Sequence, residues 1–206
     1  MHGSFLLLPV FSATSKGSAI YGRILAQGSF FAKKSKRMKT PMEDTYTQLI
    51  AFLDRHGAQY RLIDHAPEGR TELVSAMRGN ALSQAAKCIV LMVKLGKKIT
   101  RYVLAVVPGD ARVDLQAVKA LMGATYVAFA SSDIAERLAG SVAGTILPFS
   151  FNQELELVAD PSVLEHNELY FNAARLDRSM VLKTSDYVAL AKPRLGRISD
   201  RRGASR

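Results

Sequence analysis

Lys87 is the residue whose position most directly suggests chemistry. It stands at the head of a nearly continuous apolar run, KCIVLMVKL at residues 87–95, which predicts an interior strand. An ammonium group there is costly unless it faces a cleft or an anion, or reaches water at the strand edge. Lys87 could therefore bind an anion in a cleft or reach solvent at the end of the strand, and the sequence favours neither interpretation. The neighbouring Cys88 is expected to be an inert buried thiol, because no base is apparent near it.

A glycine-rich turn forms the second candidate feature. The segment GSVAG, from Gly140 to Gly144, ends a predicted helix and leads to Pro148, Phe149 and Ser150. Glycine lets main-chain groups approach a ligand closely, so this turn could hold backbone N–H groups against a substrate. The same residues also fit an ordinary helix C-cap followed by a loop.

Three polar residues complete the set of candidates. His65 follows a predicted strand and precedes a proline, and it could be a polar pocket wall or a surface imidazole. Asn172 and Asp177 flank the turn FNAARLD, which both residue types favour for backbone reasons alone. No nucleophile is apparent beside a base in this set, so the residues do not by themselves specify a covalent mechanism.

Several classes of protein are excluded by missing motifs. There is no P-loop, no GxGxxG, no HExxH and no GxSxG. The four histidines are scattered and there is one cysteine, so no metal site, disulfide framework or cofactor is expected. The longest apolar run, residues 5–11, is far shorter than the roughly 18–20 residues of a membrane-spanning helix, so no membrane partner is expected.

Hydrophobic periodicity and capping signals define the elements that would position these residues. Helices are predicted at 41–57, 71–78, 115–122, 132–139 and 184–191. Strands are predicted at 58–64, 87–95, 99–107, 126–130, 145–151, 155–159, 169–173 and 180–183. Because hairpin-joined neighbours dominate, the pattern favours an α+β fold with a twisted, mixed, mostly antiparallel sheet and surrounding helices.

The basic charge lies in the two ends of the chain. The formal net charge is +10, yet residues 1–41 hold seven basic residues and no acid, and residues 192–206 hold six against one. We therefore expect a basic, weakly ordered extension at 1–41, one folded domain at 42–193 and a basic tail at 194–206. A natural translation start at Met42 would agree with the same organisation. A secretory signal, a transit peptide and an RNA-binding arm are less favoured interpretations of residues 1–41.

Five blocks in order resemble the YbaK and prolyl-tRNA-synthetase editing-domain family, and most closely its free-standing YeaK-type aminoacyl-tRNA deacylases. The blocks are HAPEGRTELVSAMRG, AAKCIVLMVK, VVPGDARVDL, GSVAGTILPFSF and FNAARLDRSMVLKTSDY. The resemblance covers residues 44–193, nearly the whole expected domain. Two positions depart from it: Leu147 stands where a second proline is frequent, and Ala174 where glycine is common.

The resemblance implies a cytoplasmic enzyme that hydrolyses the ester of mischarged tRNA carrying a small amino acid, with Ser and Thr favoured. It implies the aminoacylated 3′ adenosine of tRNA as partner, and a synthetase as a second partner. The family's invariant lysine maps onto Lys87, where it holds a phosphate. Its glycine loop maps onto Gly140 and Gly144, and its acid onto Asp177. The candidate substrate-binding residues within the matching blocks are His65, Pro148, Phe149, Ser150 and Asn172.

The chemistry of an aminoacyl ester agrees with this interpretation. The ester is already activated, so water placement and oxyanion stabilisation matter more than a strong nucleophile. Two alternatives stay open at this point. The substrate could be Ala- or Cys-tRNA for proline, or the chain could be a catalytically silent module that binds a tRNA end or a nucleotide.

Overall fold

A computed structural model describes residues 44–200. The helices in this range are α1 (Thr45–Arg55), α2 (Thr71–Arg78), α3 (Leu115–Leu121), α4 (Ser132–Ala139) and α5 (Thr184–Ala191). The strands are β1 (Tyr60–Asp64), β2 (Ala86–Leu95), β3 (Ile99–Pro108), β4 (Arg112–Val113), β5 (Tyr126–Phe129), β6 (Leu155–Ala159), β7 (Glu168–Asn172), β8 (Arg178–Lys183), β9 (Arg194–Leu195) and β10 (Ser199–Asp200). The expectations for residues 1–41 and 201–206 lie outside the described residues.

A long hairpin of β2 and β3 forms the centre of a five-stranded sheet ordered β5-β2-β3-β6-β9. The hairpin is antiparallel from Ala86 opposite Pro108 to Leu95 opposite Ile99. Gly96 turns the chain between the two strands with a φ of 72°, which an L side chain rarely adopts. β6 and β9 join in parallel, so the sheet is mixed. The predicted α+β class with a mixed, mostly antiparallel sheet is confirmed.

A second sheet contacts the first near the start of β2, which carries Lys87. It is antiparallel and ordered β1-β8-β7. A single parallel bridge joins Ala85 to Tyr170, immediately before β2 and within β7. This bridge brings the head of β2, with Lys87, next to the end of β7, with Asn172.

Alternating side chains of β3 supply two apolar clusters. Leu104 and Val106 pack with residues of α1, β7 and β8, while Val103 and Ala105 pack with residues of α3 and β5. All four are fully buried. Burying an aliphatic side chain contributes about 1.5–3 kcal/mol, so the hairpin that carries Lys87 is fixed from both faces. None of the helices between residues 44 and 200 has the length and hydropathy of a bilayer-crossing segment.

Helix boundaries follow local capping chemistry. The carboxylate of Asp44 accepts the N–H of Tyr46 at 2.8 Å, so α1 begins at Thr45, later than predicted. Asp114 caps α3 in the same way. Gly79 ends α2 in the left-handed conformation, as the sequence predicts.

Two predictions about chain segments are wrong. Residues 145–151 form no strand: Pro148 has no N–H to give to a ladder, and Ser150 Oγ lies within hydrogen-bond distance of the carbonyls of Asn152 and Leu155, sharing its one proton between them. The tail expected from residue 194 begins inside the fold. β9 pairs with β6 and β10 with β4, and the side chain of Ile198 is fully buried. The N–H groups of Ile198 and Ser199 both donate to the Asp160 carboxylate at 2.8 Å.

The backbone at Ala174 yields a test of stability. Ala174 has a φ of 57°, a conformation that costs an L residue about 1–2 kcal/mol. Glycine removes that strain but loses about 0.5–1 kcal/mol through unfolded-state entropy. Ala174→Gly should therefore raise the free energy of unfolding by about 0.5–1 kcal/mol in denaturant titration. The matched control, Ala173→Gly, lies at an ordinary φ and should lower it; equal losses for both variants would contradict the strain.

Candidate active site

A small cavity lies where the two sheets and α2 meet. Its volume is about 160 Å³. Four segments line it: α2 with the loop before it, the start of β2, the turn after α4 and the end of β7. The lining residues are Gly69, Thr71, Val74, Arg78, Ala85, Ala86, Lys87, Cys88, Gly144, Ile146, Phe171 and Asn172.

Lys87 is one of the residues that line this cavity. Its Nζ donates to the carbonyl of Ala111 at 2.9 Å, across from β2 in the turn that follows β3. That partner is uncharged, and the residues lining the cavity include no Asp or Glu. The positive charge is therefore available to an anion that enters the cavity.

Gly144 meets Gly69 at the cavity wall, backbone against backbone. Gly144 has a φ of 85°, and a Cβ there would lie 2.7 Å from the Cα of Gly69. Only a residue without a side chain fits this contact. The turn thus presents bare main chain to the cavity.

Asn172 holds the two glycine segments together. Its Nδ2 donates to the carbonyl of Glu68 at 2.9 Å and to the carbonyl of Gly144 at 3.0 Å. Because Nδ2 is the donor in both bonds, Oδ1 must face the other way, where Ser179 Oγ donates to it at 2.9 Å. Asn172 is 6% exposed, so these bonds are made away from water.

Ser179 connects this amide to two further side chains. His65 Nε2 lies 2.7 Å from Ser179 Oγ, and Arg78 donates to the same oxygen at 3.2 Å. Ser179 is fully buried and lies behind the lining residues Asn172 and Arg78, to which it is hydrogen-bonded. His65 therefore acts on the site through Ser179 and Asn172, and it is not among the lining residues.

Arg78 is a second cation in the cavity wall. It is half-buried, and this burial lowers the pKa of its guanidinium to about 10, still well above neutral pH. Its Nε donates to Asn80 Oδ1, and its two terminal nitrogens donate to Ser179 Oγ and Ser75 Oγ. All three acceptors are uncharged.

The turn after α4 has main-chain donors with and without partners. The N–H of Gly140 donates to the carbonyl of Glu136, and the N–H of Ala143 to the Glu136 carboxylate. Within residues 44–200, the N–H groups of Gly144 and Ile146 have no hydrogen-bond acceptor. Both residues line the cavity.

Four of the site residues predicted from the sequence do not line the cavity. Gly140 caps α4, and its carbonyl accepts from Thr45 Oγ1 at 2.6 Å. Pro148 and Phe149 are buried, because this segment packs into an aromatic cluster of the core. Its members are Phe52, Phe149, Phe151, Phe171 and Tyr187. Ser150 is held by carbonyls of its own loop.

Asp177 is exposed and does not line the cavity either. Its carbonyl accepts the N–H of His65 at 3.0 Å, so its main chain helps to fix His65. Cys88 lies in the cavity wall, where burial raises the pKa of its thiol, as expected for an inert side chain. Among the described residues, no cluster of His, Cys, Asp and Glu could hold a metal ion.

Three residues at or beside the cavity were not predicted from the sequence: Arg78, Ser179 and Gly69. Arg78 precedes the C-cap Gly79, where a basic residue is ordinary because it complements the helix dipole. Ser179 lies in an apolar strand, and Gly69 in a short loop before α2. The pairing of β7 with β8 sets Ser179 opposite Asn172, while Arg78 and Gly69 join the site through contacts with Ser179 and Gly144, which are distant in the chain.

A larger groove of about 840 Å³ lies along β1, β8 and α5. Its Arg61 forms an ion pair with Glu168, so these two charges compensate each other. None of the predicted site residues lines it. The smaller cavity is therefore the candidate active site.

Comparisons with known proteins identify the family of this chain. Residues 65–190 match the model of the aminoacyl-tRNA editing domain. The chain is 42% identical over 152 residues to the multifunctional Ser/Thr-tRNA deacylase ProXp-y of Escherichia coli strain K12. That alignment covers 73% of this chain and 90% of the relative, and the protein of strain O157:H7 matches equally well.

Solved structures show the same fold. A hypothetical protein matches with a TM-score of 0.67 at 19% identity, over 74% of this chain and 99% of the other. A protein assigned as a trans-editing enzyme for prolyl-tRNA synthetase matches with a TM-score of 0.64 at 17% identity, over 77% and 99%. With the domain match spanning His65 to Leu190 and the cavity built from residues within it, the chain belongs to the aminoacyl-tRNA editing domain family.

Proposed function

We propose that this protein is an aminoacyl-tRNA deacylase that hydrolyses the ester of mischarged tRNA carrying a small amino acid, with Ser and Thr favoured. The observation that carries the proposal is the shared cavity of Lys87 and Gly144, a cation facing bare main chain. The relative named a Ser/Thr-tRNA deacylase supports the choice of amino acids. The aminoacylated 3′ end of tRNA is the proposed partner, a synthetase is a further one, and the cytoplasm is the proposed location.

The size of the cavity supports a small amino acid. Its volume of about 160 Å³ lies below the roughly 300–1,000 Å³ of typical ligand pockets. Phe171 is 2% exposed and packs against Phe149, with ring centroids 6.3 Å apart. This wall therefore cannot easily move to enlarge the cavity. Large side chains would be excluded sterically, which is how a second editing site discriminates.

In the proposed mechanism, the chain positions the ester and stabilises charge. Lys87 holds a phosphate of the terminal nucleotide as a point charge. The N–H groups of Gly144 and Ile146 donate to the ester carbonyl oxygen as it becomes an oxyanion. A water attacks the carbonyl carbon, and the ribose oxygen leaves with a proton that reaches it from the water or the neighbouring ribose hydroxyl. No protein nucleophile is needed, because the ester is already activated.

A panel of mischarged tRNAs tests the substrate. Ser- and Thr-tRNA should be deacylated well above the spontaneous rate, and faster than Ala- or Cys-tRNA, in an assay of radiolabelled amino-acid release. The full chain and a version starting at Met42 should agree if the described residues carry the activity. Release at the spontaneous rate from all four substrates would reject the proposal and leave a silent binding module.

The charge of Lys87 is tested by Lys87→Ala. Loss of the phosphate contact should lower kcat/KM for Ser-tRNA about tenfold or more, or roughly 1.4 kcal/mol of transition-state stabilisation. Lys94→Ala is the matched control, because Lys94 is an exposed cation at the other end of β2. If Lys87→Ala kept both the kcat/KM and the melting temperature of the parent protein, Lys87 would have no role in the mechanism.

Alanine substitutions at Gly144 and Gly140, two glycines of one turn, distinguish a role in catalysis from a role in helix capping. Gly144→Ala places a Cβ 2.7 Å from the Cα of Gly69 and should displace the cavity wall, lowering kcat at least about tenfold. At Gly140 the new Cβ meets only the side chain of Thr45, so Gly140→Ala should cost about 1–2 kcal/mol of stability and keep the activity. The measurements are kcat and thermal unfolding; equal activity losses would return Gly140 to the active site.

A further inference from the structure

Arg78 is a half-buried cation that forms no ion pair with any residue of the part of the chain that the structure describes. Each of its three nitrogens donates to an uncharged oxygen, of Asn80, Ser179 or Ser75. The five ion pairs found among residues 44–200 do not include it. A cation removed from water without an opposite charge lowers stability, as the depressed pKa of the guanidinium also indicates.

The guanidinium retains donors for a ligand. It has five N–H groups, and its hydrogen bonds to Asn80, Ser179 and Ser75 account for three of them. One N–H on each terminal nitrogen is therefore left over. Tyr170 lies on one side, with its ring centroid 5.9 Å from the Arg78 Cζ. The side chain also lines the cavity, where the remaining donors can meet a ligand.

The cavity as a whole holds two positive charges and no negative one. Lys87 donates to a carbonyl and Arg78 to amide and hydroxyl oxygens, while the lining includes no carboxylate. An ester carbonyl carries no net charge and cannot compensate them. At the 3′ end of an aminoacyl-tRNA, the only negative charge is on the phosphodiester.

We infer that Arg78 and Lys87 together form a two-cation site for the phosphate of the 3′-terminal nucleotide, with Arg78 making a forked contact to two phosphate oxygens. The inference rests on the proposed function for the identity of the nucleotide. Planar guanidinium groups match phosphate geometry in this way, whereas an ammonium acts as a point charge. Arg78 thus becomes a substrate-binding residue that decides which end of a nucleotide enters the cavity.

The contacts of Arg78 also connect the phosphate site to the oxyanion donors. Ser179 accepts from Arg78 and donates to Asn172, and Asn172 holds the carbonyl of Gly144. A phosphate that fixes the guanidinium therefore also fixes the turn that supplies the Gly144 N–H. Loss of Arg78 should raise KM and lower kcat together.

Binding of AMP tests the site without any hydrolysis. Isothermal titration should give tighter binding of AMP than of adenosine to the parent protein, and inorganic phosphate should compete with AMP. In Arg78→Gln the Kd for AMP should rise about tenfold or more, with adenosine binding unchanged. Arg78→Lys should recover part of the affinity. Arg101→Gln, which removes an exposed charge on β3, is the matched control and should bind AMP like the parent.

The outcomes separate this inference from the proposed function. Parental AMP affinity in folded Arg78→Gln overturns the inference, whatever the deacylation rates are. Arg78-dependent AMP binding without turnover of any mischarged tRNA supports the site and rejects the deacylase. If Arg78→Gln does not fold, a phosphate titration of the parent followed by NMR decides. Shifts of the Arg78 side-chain N–H signals support the site, and unchanged Arg78 signals at saturation overturn it.

Discussion

The site depends on the buried amide of Asn172. Its Nδ2 joins the carbonyls of Glu68 and Gly144, which belong to two loops that also approach each other at Gly69 and Gly144. A buried carbonyl without a donor costs about 1–3 kcal/mol, so each loop is fixed by the bond that satisfies it. The amide therefore helps to fix the position of Gly144, whose N–H is a proposed oxyanion donor.

The cavity combines positive charge with neutral polar groups. Lys87 and Arg78 face amide, hydroxyl and carbonyl groups that orient them without neutralising them. Such an arrangement lowers the stability of the empty protein and favours an anionic ligand, because the ligand supplies the missing charge. It also explains how hydrolysis could proceed without a catalytic triad, since prearranged donors stabilise charge as it develops.

The fold was predicted correctly from residues that usually have one structural role, such as a continuous apolar run in a buried strand or glycine at the end of a helix. The apolar run of β2, its hairpin to β3 and the glycine ends of α2 and α4 were all predicted from such residues. The aromatic residue Phe149 was misjudged, because a ring in a core and a ring in a pocket wall look alike in sequence. Arg78 was missed because its environment comes from Ser179, a hundred residues away in the chain. The strands β9 and β10 have two residues each, too few to show the alternation of apolar and polar residues from which a strand is predicted.

The order in which the cavity segments occur along the chain has a consequence for synthesis. The wall begins near Gly69 and is completed only by Asn172, whose partner Ser179 lies in the following strand. A chain still emerging from the ribosome therefore contains the cations long before the amide that arranges them. The emergence of β7 and β8, rather than the appearance of the two cations, therefore sets the moment at which the cavity can form.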